Sequence, residues 1–122
     1  QFHVPLYDTD YYKKAIELFP NDKFMVFCRD NQGSDIDVAD REWCKEFMTG
    51  LVGEGRFALA PNDGEETDDL NTMASCKSLI MANSSFSWWA AFLGNHERVI
   101  CPKSWFTDGY QRTELLPRWE LI

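Results

Sequence analysis

The sequence predicts an α/β fold with a parallel sheet and helices on both of its faces. Short apolar runs of strand type alternate with segments of helical periodicity along the chain, which is the pattern of parallel strands joined by helices. The apolar runs are continuous rather than alternating, as in strands covered on both faces. Because 122 residues suffice for one compact core, we predict that residues 1–122 form a single α/β domain.

Four strands and four helices account for this pattern. The strands are predicted at 23–28, 56–60, 78–82 and 98–101, and we expect all four to lie in one sheet. The helices are predicted at 10–19, 40–48, 69–76 and 88–93. Gly50, Gly53 and Gly55 predict a flexible connection after the second helix, and Gly94 predicts a left-handed end to the fourth.

The segment 79–93 contains the strongest functional signal. The apolar run 79–82 predicts a buried strand, and Asn83, Ser84, Ser85 and Ser87 then precede an aromatic helix. Any of the three serines suits the N-cap of that helix. A helix N-terminus at the carboxyl edge of a sheet offers backbone N–H groups and hydroxyls to a phosphate. The alternative is a well-capped helix with no ligand.

Topology singles out further polar residues at the same edge of the predicted sheet. The loops that follow the four strands begin at Asp30, Asn62, Asn83 and Pro102, and ligands of parallel sheets bind at such loops. Asp69, at the predicted start of a helix, is expected nearby, whereas the rest of the acidic run 61–69 suits a solvated loop and an acidic first turn. The chain has no G-x-G-x-x-G motif, which argues against a dinucleotide-dependent dehydrogenase.

Charge and cysteine usage narrow the class of protein. A net charge of −8 and a pI near 4.6 argue against nonspecific nucleic-acid binding. No run of residues is long and apolar enough to span a bilayer. Four cysteines in apolar settings predict reduced, mostly buried thiols and a reducing compartment, with a disulfide framework as the minor alternative. The two histidines lack metal-ligand spacing, so we expect no metal site.

A family resemblance rests on residues 80–93, Ile-Met-Ala-Asn-Ser-Ser-Phe-Ser-Trp-Trp-Ala-Ala-Phe-Leu. This segment resembles the hallmark of the α-1,2-fucosyltransferases, glycosyltransferase family eleven. Further segments resemble the family in the same order and cover nearly the whole chain: 10–16, 24–30, 43–45, 69–76, 99–106 and 116–119.

The resemblance implies a donor-binding role. Such enzymes have a GT-B fold of two Rossmann-like halves, and this chain resembles most of the second, donor-binding half, so we expect it to lack the upstream half. The implied donor is GDP-fucose and the implied acceptor a glycan hydroxyl, in an α-1,2 linkage without metal or other cofactor. The serines and the helix N–H groups are implied to bind the diphosphate, and the acidic residues are implied to bind guanine or ribose. The implied donor-binding residues are Asp30, Asp69, Asn83, Ser84, Ser85 and Ser87.

The implied location is the cytoplasm, or the periphery of the inner membrane, in a bacterial-type or viral pathway for cell-surface polysaccharide. Two departures from the family pattern qualify the prediction of activity. The family's His-x-Arg-Arg pattern is missing, since His3 is followed by Val4, and Cys28-Arg29-Asp30 replaces its usual Ser-Asp-Asp. We therefore expect the isolated chain to be inactive or nearly so.

Two alternative functions stay open at the level of sequence. One is a non-catalytic remnant that binds a nucleotide or carbohydrate. The other is a related transferase that uses a different deoxysugar nucleotide, either derived from GDP-mannose or linked to dTDP.

Overall fold

A computed structural model of the chain describes residues 3–28, 40–61, 66–111 and 113–122. The helices are α1 (Tyr11–Glu17), α2 (Asp40–Val52), α3 (Glu66–Ser75) and α4 (Ser85–Leu93). The strands are β1 (Phe24–Val26), β2 (Phe57–Leu59), β3 (Ser78–Ile80), β4 (Arg98–Cys101) and β5 (Glu120–Leu121). Two compact units result: one joins the beginning of the chain, up to Phe19, to Leu70–Ile122, and the other is Pro20–Asp69.

The first unit is built on a three-stranded parallel sheet in the order β3-β4-β5. The central strand β4 pairs Val99 with Leu79 and Cys101 with Leu121. Three of its four residues are buried, because it has a neighbour on each side and apolar side chains on both faces. Its register therefore places the carboxyl ends of β3 and β4 side by side.

The second unit contains a two-stranded parallel sheet, β1-β2, and helix α2. Phe24 pairs with Phe57 and Met25 with Ala58. The face that carries Met25 and Ala58 is exposed, with Met25 51% accessible. The expectation of helices on both faces is therefore wrong for this sheet, since a continuous apolar run is not by itself evidence of cover on both sides.

The strand predictions hold in position and direction but not in their assignment to one sheet. In the described residues the four predicted strands form two separate parallel sheets. The fifth strand, Glu120–Leu121, was missed because a two-residue strand in an aromatic tail carries no periodic signal. The prediction of one domain for residues 1–122 stays a prediction, as does the GT-B architecture.

Some helix ends differ from the predictions. Helix α2 continues through Gly50 to Val52 and ends before Gly53. Gly53 has a φ of 82°, a left-handed conformation that is incompatible with continuing the helix. A single glycine lowers helix stability by only about 1 kcal/mol relative to alanine, so it does not by itself end a helix. Helix α4 ends at Gly94 with φ −84°, so the expected left-handed cap is absent there.

All four cysteines lie in the described residues, and each is a thiol outside any disulfide. Cys101 is buried, whereas Cys28, Cys44 and Cys76 are half-buried. The prediction of reduced cysteines stays a prediction, whereas that of mostly buried ones is wrong. Burial raises the pKa of the Cys101 thiol to about 11.

Candidate functional site

The candidate site is the connection from β3 to α4, at the carboxyl edge of the three-stranded sheet. The Met81 N–H donates to the Ile100 carbonyl at 2.9 Å, which carries the β3-β4 ladder one residue past β3. Ser84 then adopts an extended conformation, φ −138° and ψ 153°, and α4 begins at Ser85. The strand, turn and helix predicted from 79–93 are therefore present in that order.

The side chains of Ser84 and Ser87 make hydrogen bonds that stabilise this turn. The Ser84 hydroxyl accepts a hydrogen bond from the Ser87 N–H at 3.2 Å, so Ser84 is the N-cap of α4. The Ser87 hydroxyl, in a side chain only 6% exposed, accepts from the Ala82 N–H at 3.2 Å. These two bonds hold the turn against the first turn of the helix.

Ser85 differs from the other two serines. It is the first residue of α4 and its side chain is exposed. The first N–H groups of a helix have no partner within it. The Ser84 hydroxyl accepts from the N–H of Ser87. The N–H groups of Ser85 and Phe86 are left without an acceptor among the described residues. The exposed hydroxyl and two N–H donors at a helix N-terminus suit an anionic ligand.

Asn83 anchors the turn to neighbouring segments. Its side-chain amide donates to the Val4 carbonyl at 2.8 Å and to the Trp105 carbonyl at 3.0 Å. The Val4 N–H also donates to Trp105, at 2.9 Å. Since both amide hydrogens are occupied, Asn83 offers a ligand its carbonyl oxygen, and its main contribution is to fix the turn in place.

Tyr11 is a positioning residue that the sequence analysis did not single out. Its buried hydroxyl lies 2.5 Å from the Met81 carbonyl oxygen and 3.1 Å from that of Ile100, so it bridges the carboxyl ends of β3 and β4. Burial raises the pKa of the phenol well above its ordinary value, so it stays a donor at any working pH. Its place on the apolar face of α1 was a signal of burial, but no pattern indicates which carbonyls it meets.

Two acidic candidates complete the set of residues predicted from the sequence. Asp30 lies outside the described residues. Asp69 is half-buried at the end of the first turn of α3, which begins three residues earlier than predicted, at Glu66. Asp69 belongs to the second unit, and its proximity to a ligand at α4 stays a prediction.

A small pocket lies at the opposite edge of the first unit. It has a volume of about 140 Å³ and is lined by residues between the end of α4 and the start of β4, with Arg118. Sites for small molecules and cofactors are typically about 300–1,000 Å³. This pocket is therefore too small for a nucleotide sugar, and it does not lie at the carboxyl ends of the strands.

Within the described ranges, no group of three or more His, Cys, Asp or Glu side chains has an arrangement that could hold a metal ion. No helix in the same ranges combines the length and apolar character needed to cross a bilayer.

Comparisons with known proteins agree on one family. Residues 3–122 match the profile of glycosyl transferase family 11. The O-antigen biosynthesis glycosyltransferase WbnK of Escherichia coli is 29% identical over 123 residues, which cover 98% of this chain and 37% of that protein. An alpha-1,2-colitosyltransferase of Escherichia coli is 33% identical over 102 residues, covering 82% of this chain and 32% of the relative.

Similarity extends to mammalian proteins over a shorter range. Galactoside alpha-(1,2)-fucosyltransferase 2 of Bos taurus is 29% identical over 83 residues, 63% of this chain and 24% of that enzyme. No solved structure gives a significant match. The chain thus spans about a third of the length of the bacterial relatives that it matches.

Proposed function

We propose that this chain, which belongs to glycosyl transferase family 11, binds the nucleotide-sugar donor of a transferase that attaches fucose to a glycan hydroxyl in an α-1,2 linkage. The proposed donor is GDP-fucose. Relatives named as alpha-1,2-colitosyl- and alpha-(1,2)-fucosyltransferases support this reaction class. The observation that carries the site is the first turn of α4, where Ser85 is exposed and the N–H groups of Ser85 and Phe86 have no acceptor among the described residues.

The donor's diphosphate is proposed to lie against that turn. The Ser85 hydroxyl and the N–H groups of Ser85 and Phe86 donate to its oxygens, and the positive end of the helix dipole favours their charge. Ser84, Ser87 and Asn83 serve the same site indirectly, because their hydrogen bonds fix the backbone that presents these donors. A preorganised turn loses little energy in reorganisation when the anion binds.

Asp69 and Asp30 are proposed to recognise the nucleoside. A carboxylate accepts hydrogen bonds from the N–H groups of guanine or from ribose hydroxyls. We propose that no metal takes part and that the cation that stabilises the leaving diphosphate comes from outside this chain. A cytoplasmic or inner-membrane-peripheral location is proposed from the O-antigen relative.

A transfer assay tests the proposed function. A family-length protein carrying residues 3–122 is incubated with GDP-fucose and a galactoside acceptor, with and without chelator, and the product linkage is determined by NMR. We expect α-1,2-linked fucose, unaffected by the chelator, and loss of activity in the Ser85→Ala variant. Donor binding without turnover would instead support the non-catalytic remnant.

A second candidate donor has a specific observation in its favour. The relative with 33% identity is named for the transfer of colitose rather than fucose. Competition among GDP-linked and dTDP-linked deoxysugars in the same assay separates the two donors. Preference for a deoxysugar other than fucose would keep the site and change the substrate.

A further inference from the structure

Two cysteines of the second unit lie in contact, although nothing in the sequence pairs them. Cys28 follows β1 by two residues and Cys44 is in the early part of α2, 16 positions later in the chain. Their sulfur atoms are 2.7 Å apart. Even smaller carbon atoms make their best contact at about 3.5–4.0 Å, so these two thiols are in direct contact.

The elements that carry the two thiols are held together independently of the sulfurs. Arg41, in the first turn of α2, donates through Nη1 to the Cys28 carbonyl at 2.8 Å and to the Ala60 carbonyl at 2.9 Å. This guanidinium therefore fixes the start of α2 against the segments that follow β1 and β2. The contact between Cys28 and Cys44 is thus a consequence of the fold of this unit.

We propose that Cys28 and Cys44 form a redox modification site, a dithiol that low-molecular-weight disulfides such as oxidised glutathione convert to an intramolecular disulfide. One cysteine, as the thiolate, attacks a sulfur of the small disulfide, forms a mixed disulfide and releases one small thiol. The second cysteine then attacks the protein sulfur of the mixed disulfide and releases the other small thiol. Two protein thiols are oxidised, one small disulfide is reduced to two thiols, and the two protons pass to those products.

The other two cysteines are placed to stay out of this exchange. Cys101 is fully buried, and burial raises the pKa of its thiol. Burial also raises the pKa of Cys76, whose thiol donates to the Thr72 carbonyl at 3.3 Å. Since the thiolate is the attacking species, both are poor nucleophiles at neutral pH.

Oxidation would cross-link the end of β1 to α2 and close the chain between them. A cross-link stabilises a protein mainly by restricting its unfolded state. For a loop of this length we expect the oxidised chain to unfold at a temperature higher by roughly 5 °C or more. In a reducing compartment the pair would remain reduced, so the bond would report a shift to oxidising conditions.

The test counts thiols on the whole chain after equilibration with mixtures of reduced and oxidised glutathione. Denatured samples are alkylated and analysed by mass spectrometry and non-reducing peptide mapping. We expect four alkylated cysteines in the reduced chain and two in the oxidised one, with the cross-linked peptide joining Cys28 to Cys44. The same titration in urea measures how readily the two cysteines pair when they are only close in sequence. In the folded chain, the effective concentration of one thiol at the other should be on the order of tenfold higher than in urea.

Matched variants complete the experiment. Cys76→Ser should form the bond as the natural sequence does, whereas Cys44→Ser and Cys28→Ser should stop at a mixed disulfide with glutathione. Thermal unfolding of each variant, with and without reductant, gives the stability difference. The proposal is overturned if four thiols persist at the oxidising end of the titration, if the bond joins another pair, or if urea leaves the effective concentration unchanged.

Discussion

The three serines of the β3–α4 turn have different environments, although they are equivalent in the sequence pattern. Ser84 caps the helix, and Ser87 is buried against the Ala82 N–H. Ser85 is exposed, and neither its N–H nor that of Phe86 has an acceptor in the part of the chain that the structure describes. Structural and proposed binding roles are therefore assigned to different residues. This separation allows each role to be tested by its own substitution.

Ser84→Ala is expected to lower the free energy of unfolding by about 1 kcal/mol, since it removes the side-chain acceptor of the N-cap. Ser85→Ala removes no hydrogen bond to another described residue, and it should leave stability within about 0.5 kcal/mol. Urea unfolding of both variants followed by circular dichroism provides the comparison. A larger loss for Ser85→Ala than for Ser84→Ala would show that the cap has been misassigned.

Tyr11→Phe is expected to destabilise the chain by about 1–3 kcal/mol, because it removes the hydroxyl that donates a hydrogen bond to the buried Met81 carbonyl. The ring and its packing are preserved, so the loss isolates the hydroxyl. Tyr7→Phe, at a residue 53% exposed, is the matched control. Equal effects of the two substitutions in chemical denaturation would argue against a bridging role for Tyr11.

Gly94→Ala is expected to destabilise by about 1–3 kcal/mol through steric overlap. A Cβ atom at Gly94 would overlap the His96 ring and lie 2.5 Å from the Ala74 carbonyl oxygen. The backbone oxygen cannot be moved cheaply, so the glycine is required by space and not by its φ of −84°.

Gly50→Ala provides the control for Gly94→Ala. Gly50 lies within α2 and has nothing within 4 Å of an added Cβ, so alanine there should stabilise by about 0.5–1 kcal/mol through helix propensity. Thermal unfolding of the two variants should therefore shift in opposite directions. Shifts of the same sign would contradict this account of Gly94.

At the scale of elements, β5 is joined to β4 by side chains as well as backbone. Arg98 donates from Nε and Nη2 to the two carboxylate oxygens of Glu120, at 2.8 and 2.7 Å. This bidentate geometry is better defined than the exposed pair of Lys77 and Glu97, at 3.4 Å. A two-residue strand gains from such a bond because its backbone ladder is short.

This ion pair predicts an acid-sensitive contribution to stability. The hydrogen bond from Arg98 lowers the pKa of Glu120 below its ordinary 4.5. A carboxyl whose pKa is lower in the folded state stabilises the fold above its unfolded pKa and loses that effect as pH falls through the folded value. We expect Glu120→Gln to flatten the dependence of unfolding on pH below about 4.5. A pH profile of Glu120→Gln equal to that of the natural sequence in urea titrations would contradict the prediction.

The elements also show how far the sequence could predict the fold. The positions of β4 and of the β3–α4 turn were predictable, because a continuous apolar run and a Ser-rich cap are local signals. The division into two sheets was not, since pairing partners depend on contacts that periodicity does not encode. The contact between Cys28 and Cys44 was missed for the same reason, and so was the bridge made by Tyr11.

At the scale of the whole molecule, the proposed anionic ligand has to be bound by an acidic chain through local geometry. The net charge is −8, so long-range electrostatics oppose a nucleotide diphosphate and the helix N-terminus has to supply the attraction. Such a site is sensitive to the precise placement of a few donors.

The most direct measurement of the central claim is a GDP titration followed by backbone amide NMR, on this chain and on a family-length protein that carries it. We predict that the largest shifts fall on the amides of Ser85 and Phe86. Ser85→Ala should weaken binding by roughly 1.5–3 kcal/mol, while Asp69→Asn should weaken GDP binding but not that of inorganic pyrophosphate. Binding of GDP with its shifts elsewhere and with both variants unaffected would contradict the assignment, and the serines would then be only a helix cap.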